Sequence, residues 1–203
     1  MSLKDLAQTT RAVYERNAAG FDRHRGRLLI ERAWLDRFLA LVPEGEAVLD
    51  LGCGAGEPIA RYLIESGRTV WGADFAEPML AIARQRFPQA TWVHADMRTL
   101  DLGRRFGGIV GWDSFFHLTR DEQRAVIPRL ARHLTPRGAL LLTVGPSDGE
   151  VTGTVEGDAV YHSSLAREEY ARVLDEAGLR IAAFVPEDPA CDYHSVLLAS
   201  AAR

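Results

Sequence analysis

Val48-Leu49-Asp50-Leu51-Gly52-Cys53-Gly54-Ala55-Gly56-Glu57-Pro58, residues 48–58, reads as a strand, a tight turn and a helix start in succession. A short apolar run, Ala47-Val48-Leu49, ends in the acid Asp50. Glycines then stand on alternate positions at 52, 54 and 56, and Glu57-Pro58 opens an amphipathic segment. That order belongs to a nucleotide-binding βα corner. The glycines permit positive φ and let a ligand lie against bare backbone. Pro58 suits a first helical turn, where its missing N–H is not needed.

Charge narrows the choice of nucleotide. A dinucleotide site wants G-x-G-x-x-G and a helix N-terminus free to hold a pyrophosphate. Here the third glycine comes one residue early, Glu57 sits at the helix start and Asp50 stands just before the turn. Two carboxylates repel a pyrophosphate and attract a cation. S-adenosylmethionine (SAM) carries an adenosine, a sulfonium and an α-ammonium but no phosphate, and so fits both signs. The stretch resembles motif I of the class I SAM-dependent methyltransferases. The resemblance implies an α/β fold: a Rossmann-like, seven-stranded, doubly wound sheet closed by a C-terminal antiparallel hairpin.

Composition agrees with a globular chain of that size. Its 203 residues suffice for one domain with a full core, and 47% are hydrophobic. We divide it into an N-terminal helical cap, 1–45, and a Rossmann-like domain, 46–203, of one unit. A net charge of -4 disfavours a nucleic-acid partner. No apolar run approaches the length of a membrane span, and no signal-peptide pattern opens the chain. Cys53 and Cys191 have neither metal-ligand spacing nor a disulfide framework. The expectation is therefore a cytoplasmic protein without a metal, monomer or homodimer, in which Cys53 fills space.

Residues 4–18 can form a first helix, and about Ile30 to Leu41 a second, with Trp34, Leu35, Phe38 and Leu39 at helical spacing. Residues 14–21, Tyr14-Glu15-Arg16-Asn17-Ala18-Ala19-Gly20-Phe21, resemble a segment that folds over SAM in small family members. The resemblance makes Tyr14 and Phe21 a lid and lets Arg25 reach the ligand carboxylate; both aromatics packing the helix onto the body is the other reading. After the corner, Thr69 to Ala73 forms a strand ending at Asp74, 22 residues beyond Gly52. One crossing helix fits that spacing, which is near the ~20 expected of an acid that takes ribose hydroxyls. Asp74 capping the next helix is the alternative. By resemblance, Phe75 and Met79 flank the adenine. A third strand, Thr91 to Ala95, leads to Asp96-Met97, where the family has an acid accepting from the adenine 6-amino group, so the resemblance puts Ala95 and Met97 in the cofactor site beside Asp96; loop capping is again the competing role for Asp96.

The fourth strand, Gly108 to Trp112, runs into Asp113-Ser114-Phe115-Phe116-His117-Leu118. Ligands of doubly wound sheets lie beyond the carboxyl ends of the strands, so this loop borders the reacting methyl. His117 is the best-placed titratable group, with an unperturbed pKa of about 6.5 that suits proton transfer. It is the candidate base, or else only shapes the pocket. Thr119 to Glu122 has the capping-box pattern. Leu134 to Gly138 reads as a turn and Ala139 to Val144 as a buried parallel strand. Residues 145–158, polar and glycine-rich, read as a loop over the site, and Tyr161 and His162 as substrate-facing or as anchors of that loop. Leu179 to Val185 and Tyr193 to Ala199 are two final strands, joined closely enough for a hairpin.

In family order, these features imply transfer of the SAM methyl group to a small-molecule acceptor by in-line displacement, leaving S-adenosylhomocysteine. A SAM-binding protein without transfer is the alternative, and an NAD-dependent oxidoreductase a weaker one. No Asn/Asp-Pro-Pro-aromatic motif of amino-directed nucleic-acid enzymes follows the fourth strand; Trp112-Asp113-Ser114-Phe115 stands there.

Overall fold

A computed structural model describes residues 2–201. In chain order they form α1 (Leu3–His24), α2 (Arg32–Leu39), β1 (Val48–Leu51), α3 (Ile59–Glu65), β2 (Val70–Asp74), α4 (Glu77–Arg86), β3 (Thr91–His94) and β4 (Phe106–Gly111). There follow α5 (Arg120–Arg132), β5 (Leu134–Val144), β6 (Gly149–Val155), β7 (Asp158–Ser164), α6 (Arg167–Glu176), β8 (Leu179–Asp188) and β9 (His194–Ala201). Seven strands make one sheet in the order β3-β2-β1-β4-β5-β9-β8. The first five are parallel, and β9 runs antiparallel to both β5 and β8. This is the expected class I methyltransferase fold with its closing hairpin.

Side-chain alternation builds the two layers. Leu49, Leu51, Ile109, Leu140 and Leu142 face α5 and α6, meeting Val126, Ile127, Tyr170 and Leu174. Val48, Val110, Leu141 and Leu198 face the other way, onto Trp34, Phe38, Ile59, Leu63 and Leu80 of α2 to α4. The chain reverses its winding direction between β1 and β4, so their carboxyl ends splay apart and leave a crevice there.

Three segments depart from the sequence reading. Helix α1 runs past residue 18 to His24, and a capping box between Ser2 and Asp5 starts it. The expected loop at 145–158 is instead the first arm of a hairpin, β6 paired antiparallel to β7. Glu156 (φ 49°) and Gly157 (φ 85°) make its turn, the left-handed pair that suits a two-residue hairpin. The hairpin lies against α1. Asp158 accepts from Asn17 at 2.8 Å and pairs with Arg16 at 2.8 Å, while Glu156 meets His24 at 2.9 Å. Gly20 makes this approach possible, because a Cβ there would sit 2.9 Å from Glu156 Oε2. Strand β5 also begins earlier than expected, at Leu134, with an irregular register against Phe106 and Gly108. No helix of the described residues is long and apolar enough to cross a membrane.

Candidate active site

A cleft opens at the carboxyl ends of β1, β2, β3 and β4 and is roofed by α1. Gly52, Cys53 and Gly54 give it a floor of bare backbone, and Asp50, Asp74 and Asp96 line it from three neighbouring strand ends. The Cys53 thiol is buried, which raises its pKa well above the ordinary value and leaves it a packing group.

Asp74 lines the cleft and is engaged by main-chain N–H groups on both sides of it. Its Oδ2 accepts the Gly54 N–H and its Oδ1 the Ala76 N–H, each at 2.8 Å. It thus ties the glycine turn to the start of α4 while lining the cleft. Asp50 is 2% exposed, and its Oδ2 is buried without any hydrogen-bond partner. Burial, helped by the nearby Asp74, pushes its pKa up to about 8. Glu57 corrects the charge argument. It lines the cleft, but its carboxylate is held by Arg27 and Arg61, with Arg86 at 3.6 Å. Burial alone would raise its pKa, yet hydrogen bonds from Arg61 and Arg27 outweigh it and hold the acid below its usual range. The attraction for a cation therefore rests on Asp50, not on Glu57.

Phe75, Met79 and Met97 form an apolar wall, and Asp96 stands beside them. The Asp96 carboxylate accepts from Arg98, whose bonds overcome burial and lower its pKa. Gly56 and Ala95 lie outside the cleft, against expectation. Gly56 leaves space for packing, since a Cβ there would meet Trp92 at 2.9 Å and Phe87 at 3.0 Å. Ala95 extends the ladder through its N–H to the Asp74 carbonyl at 2.9 Å.

At the β4 end, Trp112 lines the cleft beside Asp113. Arg25 reaches the cleft from α1 but is engaged there, donating to Asp113 Oδ2 at 2.9 Å. The other Asp113 oxygen meets His194 Nε2 at 2.9 Å. That bond is the main reason the His194 pKa is pushed up to about 9, so Asp113 lies between two cations. Sequence reading missed Asp113 and His194 as a pair because 81 residues separate them.

His117 ends a 3-10 turn over Phe115–His117. Its Nδ1 meets the Tyr161 carbonyl at 2.9 Å and its Nε2 the Tyr14 hydroxyl at 2.8 Å. Burial is the main cause that lowers its pKa to about 4, so it is neutral at pH 7 rather than poised to titrate there. Tyr161 and His162 do not line the cleft. Tyr161 is 1% exposed, with its hydroxyl on Glu150. His162 packs on the aromatic pair of the β4 loop, 4.6 Å from the Phe116 ring and 4.9 Å from that of His117. The two are consecutive in β7 and so point to opposite faces of the hairpin. Among the described residues no group of His, Cys, Asp or Glu is arranged to hold a metal ion.

Comparison with known proteins points the same way as the cleft. Residues 48–138 match the family described as Methyltransferase domain. That stretch carries the glycine turn and the strand ends that line the cleft. A similar relative is the dTDP-3-amino-3,6-dideoxy-alpha-D-glucopyranose N,N-dimethyltransferase of Streptomyces fradiae, 39% identical over 49% of this chain and 40% of the relative. Another is the dTDP-4-amino-2,3,4,6-tetradeoxy-D-glucose N,N-dimethyltransferase of Saccharopolyspora spinosa, 33% identical over 56% of this chain and 48% of the relative. The chain thus spans about half the length of the curated relatives it matches, or less. Among solved structures, a Burkholderia thailandensis 1,6-didemethyltoxoflavin-N1-methyltransferase superposes with TM-score 0.76 at 22% identity, covering 100% of this chain and 92% of the other. A SAM-bound amino pentose methyltransferase from Micromonospora echinaspora gives TM-score 0.71 at 23% identity, covering 92% and 96%. These structures share the fold of this chain.

The cleft fits SAM by its own chemistry. An orphaned, buried carboxylate oxygen of Asp50 calls for a cationic or N–H-bearing partner. The bare glycine floor gives such a ligand close approach.

Proposed function

We propose that this protein is a methyltransferase that moves the methyl group of SAM to an amine nitrogen of a small-molecule acceptor. The observation that carries the reading is the unpartnered Asp50 oxygen at the tip of β1, inside a cleft rich in acids. Asp50 and Asp74, the lining acids that no arginine holds, suit a cationic cosubstrate and an amine-bearing acceptor, and disfavour a phosphate-rich ligand. The names of the N,N-dimethyltransferase relatives point to amines as well.

When bound, SAM supplies a methyl group on a sulfonium, a leaving group that needs little help. The chain's own work is then to hold both partners in line, worth roughly 7–11 kcal/mol. In this reading Asp74 receives the ribose hydroxyls and Asp96 the adenine amino group. Phe75, Met79 and Met97 enclose the base, and Trp112 closes the far side. Asp50 faces the α-ammonium, and Arg25, already neutralised by Asp113, offers its remaining N–H groups to the carboxylate.

Saturating SAM, at a hundred times Kd, should raise unfolding free energy by about 2.7 kcal/mol. For a chain of this size that is a shift in Tm of roughly 5–10 °C, and NAD should give none. Incubation with a panel of amino and hydroxy sugars should release S-adenosylhomocysteine only with the amines. A shift with NAD alone would overturn the cofactor; SAM binding without turnover would leave a binding protein. Replacing Asp74 by Ala should weaken SAM by about 1.5–3 kcal/mol, the scale of hydrogen bonds to a charged group. Unchanged affinity by calorimetry removes Asp74 from the ribose site.

A further inference from the structure

Resting on the amine reading above, we propose that Tyr14 presents an acceptor-only oxygen to the cleft, and that this oxygen selects amines still carrying an N–H and halts methylation at the tertiary amine. The argument follows hydrogen-bond polarity along three residues. The Tyr161 carbonyl can only accept, so His117 Nδ1 carries a proton and donates to it across 2.9 Å. Burial keeps the ring neutral at pH 7, so its Nε2 has a lone pair and no proton. Nε2 therefore accepts from the Tyr14 hydroxyl, 2.8 Å away. The only proton on that oxygen is committed, and what remains for the cleft is two lone pairs.

The wiring is fixed from both ends. The Tyr161 main chain is pinned by its own N–H, which donates to Thr10 Oγ1 at 3.0 Å. Thr10 lies one helical turn before Tyr14 on α1, so one short stretch of helix positions both ends of the relay. Tyr14 lines the cleft between Phe75 and His117, with ring centroids 6.3 Å and 5.2 Å away. It thus stands between the wall assigned to the base and the β4 loop assigned to the reacting centre.

A neutral primary or secondary amine satisfies this oxygen. Its N–H donates to Tyr14 while its lone pair stays free for the methyl carbon. The N–C bond forms from that lone pair, and the C–S bond breaks with its electrons passing to sulfur. The new ammonium keeps its proton on the Tyr14 oxygen until it leaves to water, so His117 never needs to take it. A neutral tertiary amine has a lone pair but no N–H. It cannot hold the same pose, and the sequence of transfers ends. Tyr14 is the group that touches the acceptor; His117 is a positioning residue that acts through it.

The test uses the full chain with 3-amino-3-deoxyglucose and its N-methyl and N,N-dimethyl derivatives as probes. Tyr14→Phe should slow turnover of the first two by about ten- to hundredfold, with SAM affinity nearly unchanged. The dimethyl probe should be a poor substrate for the native protein, at least about a hundredfold slower. His117→Leu should match Tyr14→Phe, whereas His117→Gln, whose side-chain oxygen can accept from Tyr14, should recover most of the rate. Nitrogen-15 shifts of His117, read without any acceptor, should show a protonated Nδ1 and a bare Nε2. A protonated Nε2, an undiminished rate in Tyr14→Phe, a SAM affinity lost with that hydroxyl, or ready conversion of the dimethyl probe would each overturn the proposal. SAM binding with no turnover of any amine defeats the amine reading instead, and the nitrogen shifts still decide the wiring.

Discussion

Gly52→Ala is expected to unfold at a temperature roughly 5–20 °C below the native protein and to lose measurable SAM binding. Gly52 has φ 73° and donates its N–H to the Ala73 carbonyl at 2.8 Å. A Cβ built on it would stand 2.3 Å from Ser114 Cβ and 2.7 Å from its Oγ. Ser114 cannot swing aside to make room, because the nearer atom is its Cβ and its hydroxyl is committed to the Leu51 carbonyl at 2.7 Å. The left-handed backbone costs a residue with a Cβ about 1–2 kcal/mol, and forced overpacking about 1–3 kcal/mol. The two together move the turn that carries the cofactor floor. Gly54→Ala separates stability from binding. Its φ is 50°, but a Cβ there would meet no protein atom within 4 Å. It should cost only the backbone part in stability, while filling the space against which the ligand lies. A Gly52→Ala protein that melts within about 2 °C of the native one and binds SAM normally would remove the turn from the site.

That glycine turn was also the most legible part of the chain. Its order of strand, glycines and helix is local, and the distance to Asp74 follows from one helix crossing back over the sheet. The separate strands and the short link between the last two were legible in the same local way, whereas the seven-stranded sheet and the place of Asp96 came from the family resemblance. What stayed hidden depends on residues far apart in sequence. Glu57 looked like a free charge, because nothing nearby announces that Arg27 and Arg86 will fold onto it. His117 looked poised to titrate until α1 and β7 buried it. The β6–β7 hairpin was obscured by composition. Its first strand has no buried residue, so it lacks the apolar alternation of a core strand, and glycines at 149, 153 and 157 read as loop. The signal that could have revealed it was β-branched residues at Val151, Thr152, Thr154 and Val155 before the Glu156-Gly157 turn.

Asp50→Asn should make the ligand-free protein more stable at pH 8 and a poorer SAM binder at the same time. In the fold the acid's pKa is about 8, against an ordinary 3.8. Between those values the unfolded chain has shed the proton that the folded chain still holds. The native state therefore binds more protons, and stability falls as pH rises from near 4 through 8. Below pH 4 both states are protonated and the residue has no such effect; above pH 8 the full cost of a buried charge applies, up to about 5 kcal/mol. Asparagine carries no charge to bury, so the gain over the native protein should be largest at pH 8 and small at pH 4. SAM reverses the balance, because a cation beside the bare Oδ2 favours the carboxylate. Binding near pH 7 should release a proton, and the calorimetric heat should then vary with the ionisation enthalpy of the buffer. In Asp50→Asn that portion of the buffer dependence should vanish and SAM affinity fall by about 1.5–3 kcal/mol. The wild-type acid would then be a strain in the empty fold that the cofactor relieves, a trade of stability for function. Two results would end this account: equal buffer dependence in both proteins, or a variant that melts below the native protein at pH 8.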